Sequence, residues 1–167
     1  MNLDAIDLLV LDVDGVLTAG DVTFDDSDRR VMSFHIRDGL AIKRWQGAGH
    51  GVAILSGRDS RIVDRRAGEL GIETVRQGVA DKESELTRML EQLGAAPRST
   101  CYVGDDLPDI APMCLCGFRV AVADAAHELK RHADYVTRHR GGGGAVAEVV
   151  ELVMSKQRRR INPATGG

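Results

Sequence analysis

The sequence predicts an α/β fold: a doubly wound parallel sheet with helices on both faces and a β-hairpin set in after the first strand. Three observations predict it. Short apolar, β-prone runs alternate with helical spacings of three and four residues along all of a 167-residue chain, the pattern of strands joined by crossover helices. A polar Asp25-Asp26-Ser27-Asp28 turn stands between two β-prone runs directly after the first strand. Asp12, Ser56 and Asp105 each follow such a run, at the carboxyl end where open parallel sheets gather their ligands.

The first strand is the apolar run from Leu8, which ends in Asp12-Val13-Asp14-Gly15. Alternate strand residues share a face, so the two aspartates project together, and Gly15 lets the chain turn away without steric cost. Paired carboxylates repel unless a cation or a proton intervenes. Val22-Thr23-Phe24 and Val31 to Phe34 form the hairpin, about residues 19–36 with its flanks. Leu40, Ala41, Arg44 and Trp45 begin a helix that Gly47 and Gly49 stop, and Val52 to Leu55 is the next strand. Ile62, Val63, Ala67 and Leu70 mark a helical face ended by Gly71, followed by a strand from Ile72 to Val75. Lys82 opens a helix whose Leu86, Met89, Leu90 and Leu93 repeat the spacing up to Gly94.

Thr100 to Val103 is a strand, residues 107–116 a helix, Phe118 to Ala123 a strand, residues 125–131 a short helix and Tyr135-Val136 a strand. Val146, Val149, Val150 and Val153 carry the last helix. The length suits one domain, read as residues 1–155. Gly141 to Gly144 is a low-complexity stretch, and residues 156–167 read as a flexible basic tail.

A net charge of −3 supplies no basic field for nucleic acid, so small polar or anionic partners are to be held locally. Cys101, Cys114 and Cys116 are odd in number and lie in apolar surroundings, which suits reduced thiols in the cytoplasm. Cys114-Leu-Cys116 lacks the spacing and the partner pair of a zinc site. The N-terminus carries no charged-then-apolar leader, and no run approaches the roughly 20 apolar residues of a membrane span. The chain therefore reads as soluble, unexported and clear of the membrane.

Four pieces recur in order: Asp-x-Asp at a strand end, Ser56 in ILSGR, Lys82 at a helix start, and Gly104-Asp105-Asp106 with Asp109. Singly, each has a bland reading as a turn, a helix-end serine or a solvated lysine. Jointly they make chemical sense only as a site. In these residues the chain resembles the haloacid dehalogenase superfamily of phosphotransferases, with its Rossmann-like core. The resemblance implies Asp12 as nucleophile and Asp14 as acid and base. It implies Ser56 and Lys82 on the phosphoryl oxygens, where charge must be held during transfer. Asp12, Asp105 and the backbone carbonyl of Asp14 would hold Mg²⁺. Asp106 and Asp109 would stand behind them or partner the lysine.

The spaces after the first strand and between Ser56 and Lys82 are too short for a large cap domain, so only the hairpin flap remains. With LDVDGVLTAG, Arg37-Asp38-Gly39, SGR, QGVADK, YVGDDLPD, VAVADA and ADYVTR, the chain resembles the capless 3-deoxy-manno-octulosonate 8-phosphate phosphatases. That family implies a sugar-acid phosphate ester as substrate and a homotetramer whose flaps and C-terminal segments close neighbouring sites. It places His35, Arg37, Asp38, Gly39, Lys43, Arg58 and Arg66 at the substrate. Lys43 stands where the family commonly has arginine and His35 where it has asparagine, and the cations common near Gly143 and Ala147 are missing. Two alternatives follow: an aryl phosphatase like the delta subunit of phenylphosphate carboxylase, working within a larger carboxylase assembly, or a non-catalytic subunit that binds a phosphate.

Overall fold

Six parallel strands lie in the order β5-β4-β1-β6-β7-β8. They are β1 (Leu8–Leu11), β4 (Gly51–Leu55), β5 (Thr74–Arg76), β6 (Thr100–Gly104), β7 (Phe118–Ala121) and β8 (Tyr135–Val136). The structure, a computed structural model, describes residues 2–161, and the side chains of residues 2–158. From β1 the chain winds outward through β4 and β5, then returns to β6 on the other side of β1 and winds outward again. The order therefore reverses at β1, and a crevice opens at its carboxyl end.

All four residues of β1 are buried, as a central strand covered on both faces requires. The helices that cover it are α1 (Ile36–Gly47), α2 (Arg61–Leu70), α3 (Lys82–Leu93), α4 (Ile110–Leu115), α5 (His127–His132) and α6 (Ala145–Ile161). Helix α1 buries Asp38, Ala41, Ile42 and Trp45, one stripe at helical spacing, and lies against α6. Trp45 is fully buried, and its indole N–H donates to the Gly51 carbonyl at 2.8 Å. A large apolar side chain such as Ile42 taken from water stabilises the fold by about 1.5–3 kcal/mol. Ser60 caps α2 and Asp81 caps α3 by accepting from backbone amides, while Gly71 and Gly94 close the two helices in left-handed conformation.

The hairpin pairs β2 (Thr23–Phe24) with β3 (Arg30–Val31). Its turn is held by the Asp25 carboxylate, which accepts from Ser27 and Arg29 amides at 2.9 and 3.0 Å. The second strand is shorter than the expected run to Phe34, because Phe34 and Met32 pack on the core instead of pairing. Phe24 remains 60% exposed.

Other boundaries differ from expectation by a few residues. Helix α1 starts four residues before Leu40, and the third strand of the core begins at Thr74 because Ile72 follows the Gly71 cap directly. Helix α6 continues through the first part of the expected tail to Ile161. Gln157 there donates to the Ile6 carbonyl at 2.8 Å, which ties the helix to the start of the chain. Residues 162–167 of the expected tail lie outside the described residues. Among the described residues no helix is long and apolar enough to cross a membrane.

Candidate active site

Four strand ends and one helix start meet around a cavity of about 350 Å³ lined by Asp12, Asp14, Ser56, Arg58, Lys82 and Asp105 among others. Asp12 continues the β1 ladder, its amide donating to the Val103 carbonyl at 3.1 Å. Beyond it the chain folds into a tight turn in which the Val16, Leu17 and Thr18 amides all donate to the Val13 carbonyl. Gly15, at φ +86°, is where the turn needs glycine: a β-carbon there would overlap the Asp105 carboxylate. Asp105 therefore lies directly against the Asp14–Gly15 backbone.

Lys82, only 7% exposed at the first turn of α3, sets its ammonium 3.0 Å from Asp12 Oδ1 and 2.7 Å from Asp109 Oδ1. Asp109 is saturated. The same Oδ1 accepts the Tyr102 hydroxyl at 2.8 Å, and Oδ2 accepts the Asp105 and Asp106 amides at 3.0 and 3.4 Å. Asp106 caps a short 3₁₀ turn (Leu107–Asp109), accepting from the Leu107 amide at 2.8 Å, and lines the cavity. Ser56, buried at the end of β4, accepts the Arg58 amide at 3.3 Å.

Oxygens of Asp12, Asp105 and Asp109 lie within 4.8 Å of one another. Burial pushes the Asp12 carboxyl well above its usual range, and the Asp109 charge adds to this while Lys82 opposes it. Asp105 is pushed up further, by burial first and then by Asp12 and Asp109. One ammonium does not balance three close carboxylates, so the group calls for a further cation. With Asp109 committed to Lys82, Tyr102 and two amides, Asp12 and Asp105 beside the Asp14 backbone are the oxygens left for it. An all-oxygen set of this kind fits a hard divalent cation.

The sequence model of the haloacid dehalogenase-like hydrolases matches residues 66–150. The chain is 40% identical to the 3-deoxy-D-manno-octulosonate 8-phosphate phosphatase of Haemophilus influenzae over 93% of this chain and 87% of that one. It is 43% identical to the corresponding phosphatase of Escherichia coli K12, over 91% and 81%. The chain belongs to this phosphatase family. Among solved structures, the Moraxella catarrhalis phosphatase in complex with magnesium, phosphate and KDO superposes with a TM-score of 0.91 at 36% identity, covering 94% of this chain and 90% of that one. The cobalt-bound H. influenzae phosphatase gives 0.90 at 39%, covering 94% and 92%.

In this haloacid dehalogenase-like phosphatase, Arg58 is the one predicted substrate contact that lines the cavity. The structure does not bring the other six there. The Asp38 carboxylate is 2% exposed and accepts from the Gly144 and Ala147 amides at 3.3 and 2.8 Å, so it caps α6 from the side of α1. Gly39 lies where α1 meets α2, and a β-carbon there would come within 2.5 Å of Arg66 Nη2. Arg66 covers the Phe34 ring and pairs with Glu69 at 3.2 Å. His35 begins α1 with its Nδ1 buried and unpartnered, Lys43 reaches toward Gly71, and Arg37 lines a separate groove with Tyr135 and Arg138.

Three features of the site were not read from the sequence. Arg30, on the hairpin, bonds Asp14 Oδ1 at 2.5 Å, and Tyr102 holds Asp109. The glycine run lies against the active-site turn: the Gly142 amide donates to the Val16 carbonyl at 2.9 Å, and a β-carbon at Gly141 would overlap the Gly15 carbonyl. Period-two alternation in β6 could have flagged Tyr102 as an inward phenol in need of a partner. Arg29 and Arg30, side by side after a polar turn, carry no signal of which one folds back.

Proposed function

We propose that this chain is a Mg²⁺-dependent phosphomonoesterase that hydrolyses a sugar-acid phosphate of the 3-deoxy-D-manno-octulosonate 8-phosphate type through an aspartyl-phosphate. The observation that carries the reading is the Asp12 carboxylate at the wall of the cavity, 3.0 Å from the Lys82 ammonium and beside Asp105. The related structure with magnesium, phosphate and KDO supports both the metal and the substrate class. The aryl-phosphate and non-catalytic readings have no comparable support.

Asp12 attacks phosphorus through a carboxylate oxygen, and the ester oxygen departs as the acyl phosphate forms. Lys82 and Ser56 hold the phosphoryl oxygens, and Lys82, itself fixed by Asp109, orients the nucleophile. Asp14 protonates the departing alcohol and then takes a proton from the water that cleaves the aspartyl-phosphate. Asp12, Asp105 and the Asp14 carbonyl would hold Mg²⁺, which would supply positive charge against the carboxylates and the phosphate. Arg58, at the cavity mouth, meets the leaving group.

The exposed apolar hairpin supports a homotetramer in which neighbouring flaps close each site, since an isolated two-stranded unit is marginal. Such an assembly would also give the exposed Arg37 and Lys43, remote from this chain's cavity, a route to substrate. The free thiols of Cys101, Cys114 and Cys116 suit the cytoplasm. Phosphate release from 3-deoxy-D-manno-octulosonate 8-phosphate, with Mg²⁺ and with chelator, tests the activity. Turnover should require the metal and fall by at least about 10³-fold in Asp12→Asn; turnover that survives the substitution rejects the mechanism, and its absence from the parent rejects the assignment.

A further inference from the structure

Resting on the reading of Asp12 as nucleophile, we propose that Tyr102 is a positioning residue: its hydroxyl, bonded to Asp109, sets where the Lys82 ammonium stands between Asp109 and Asp12. Tyr102 is fully buried and stands apart from the cavity wall, so it touches neither the phosphoryl group nor the leaving alcohol. It lies in register with Val10, and register partners on parallel strands share a face, here the one that also bears Asp12. Gly104, next along that face, carries no side chain, and a β-carbon there would stand 2.6 Å from Asp109 Cβ. Asp109 occupies that space, within reach of the phenol two residues earlier.

Asp109 Oδ1 is a shared acceptor. It takes the Tyr102 hydroxyl at 2.8 Å and the Lys82 ammonium at 2.7 Å, while the same ammonium stands 3.0 Å from Asp12 Oδ1. Two carboxylates therefore compete for one buried cation, and the nearer of them is the one that also carries the phenol. An oxygen whose charge is partly taken up by one donor holds a second donor less tightly. The phenol thus tempers the pull of Asp109 and leaves more of the ammonium to Asp12 and the phosphoryl oxygens, where charge must be held during transfer. Without the hydroxyl, Oδ1 would hold Lys82 alone and draw it away from the nucleophile, an effect that the low dielectric of a buried site enlarges. Packing alone would be served as well by phenylalanine, which has no hydroxyl to desolvate.

The test measures kcat and KM for 3-deoxy-D-manno-octulosonate 8-phosphate and for p-nitrophenyl phosphate, each with Mg²⁺. The proteins compared are the parent, Tyr102→Phe, Asp109→Asn and the double variant, each shown to be folded by circular dichroism at the assay temperature. Tyr102→Phe should lower kcat roughly 5- to 20-fold on both esters and leave KM within about twofold, as loss of a group that acts on the chemical step requires. In the Asp109→Asn background the same substitution should change kcat by less than about twofold, because no anion remains there to draw the lysine away. A parental kcat in Tyr102→Phe overturns the inference. So does a fall of equal factor in both backgrounds, a loss carried by KM, or an effect on the sugar acid alone, since each marks a role that does not run through Asp109 and Lys82. Aryl-phosphate turnover without sugar-acid turnover in the parent rejects the substrate assignment and leaves the inference standing on the aryl ester. Turnover that survives Asp12→Asn rejects the nucleophile, and the inference with it.

Discussion

Asp109 organises the site although it is neither nucleophile nor an open metal ligand. Four donors end on its two oxygens, so one carboxylate sets the position of Lys82, the hydroxyl of Tyr102 and the backbone on which Asp105 rides. Asp109→Asn keeps the shape and removes the charge, leaving Lys82 buried with only Asp12. The variant should lose about 1.5–3 kcal/mol in urea unfolding and about 10- to 100-fold in kcat, because the charge-assisted hydrogen bonds from Lys82 and Tyr102 are weakened and Lys82 is held less firmly. Stability and turnover equal to the parent's would show that Lys82 is positioned by something else. The partnership of Asp109 with the lysine was legible from residue types and order. Its two bonds to the Asp105 and Asp106 amides were not, since they depend on the chain folding back over Gly104.

The loop that leads into α6 shows an element whose role spacing conceals. Four consecutive glycines carry no side chains and hence no periodicity, and they read as low complexity. In the fold Gly141 and Gly142 have no room for a β-carbon, because they lie on the Gly15–Ala19 turn more than a hundred positions earlier. Asp38 and Glu148 anchor the two sides of this loop. Glu148 accepts from Tyr135 Oη at 2.6 Å and from the Arg138 and His139 amides at 3.0 and 3.1 Å, and it contacts His139 Nδ1 at 2.7 Å. Burial opposes its ionisation, yet these bonds hold its carboxyl at about 2. A carboxyl depressed in the folded state stabilises the fold above its ordinary value of 4.5 and ceases to do so as pH falls toward 2. His139, one of its partners, is 53% exposed, so solvent screening holds the contribution at neutral pH to about 1–2 kcal/mol. Thermal midpoints of the parent and Glu148→Gln should therefore differ most near pH 7 and converge between pH 4.5 and 2. A gap that stays constant through that window would mean Glu148 contributes shape alone.

At the scale of the molecule, the reversal of strand order at β1 brings Asp12, Ser56, Lys82 and Asp105 to one crevice. It concentrates negative charge there, so the apo fold bears a repulsion that a divalent cation would relieve. Added Mg²⁺ at about 100 times its dissociation constant should stabilise the fold by about 2.7 kcal/mol. For a chain of this size that is a rise of roughly 5–10 °C in thermal midpoint. Asp105→Asn should abolish the rise; an unchanged midpoint in the parent would place the metal elsewhere. Spacing along the chain was enough to name the wound sheet and the hairpin and to set Asp12, Ser56, Lys82 and Asp105 at the ends of elements, because strand ends and caps obey local rules of period and sterics. It could not say that Asp38 and Gly39 serve helix packing, that Arg30 rather than Arg29 turns inward, or that the glycine run braces the catalytic turn. Those outcomes depend on contacts between residues far apart in sequence, where burial and close approach, not local period, set which atoms meet.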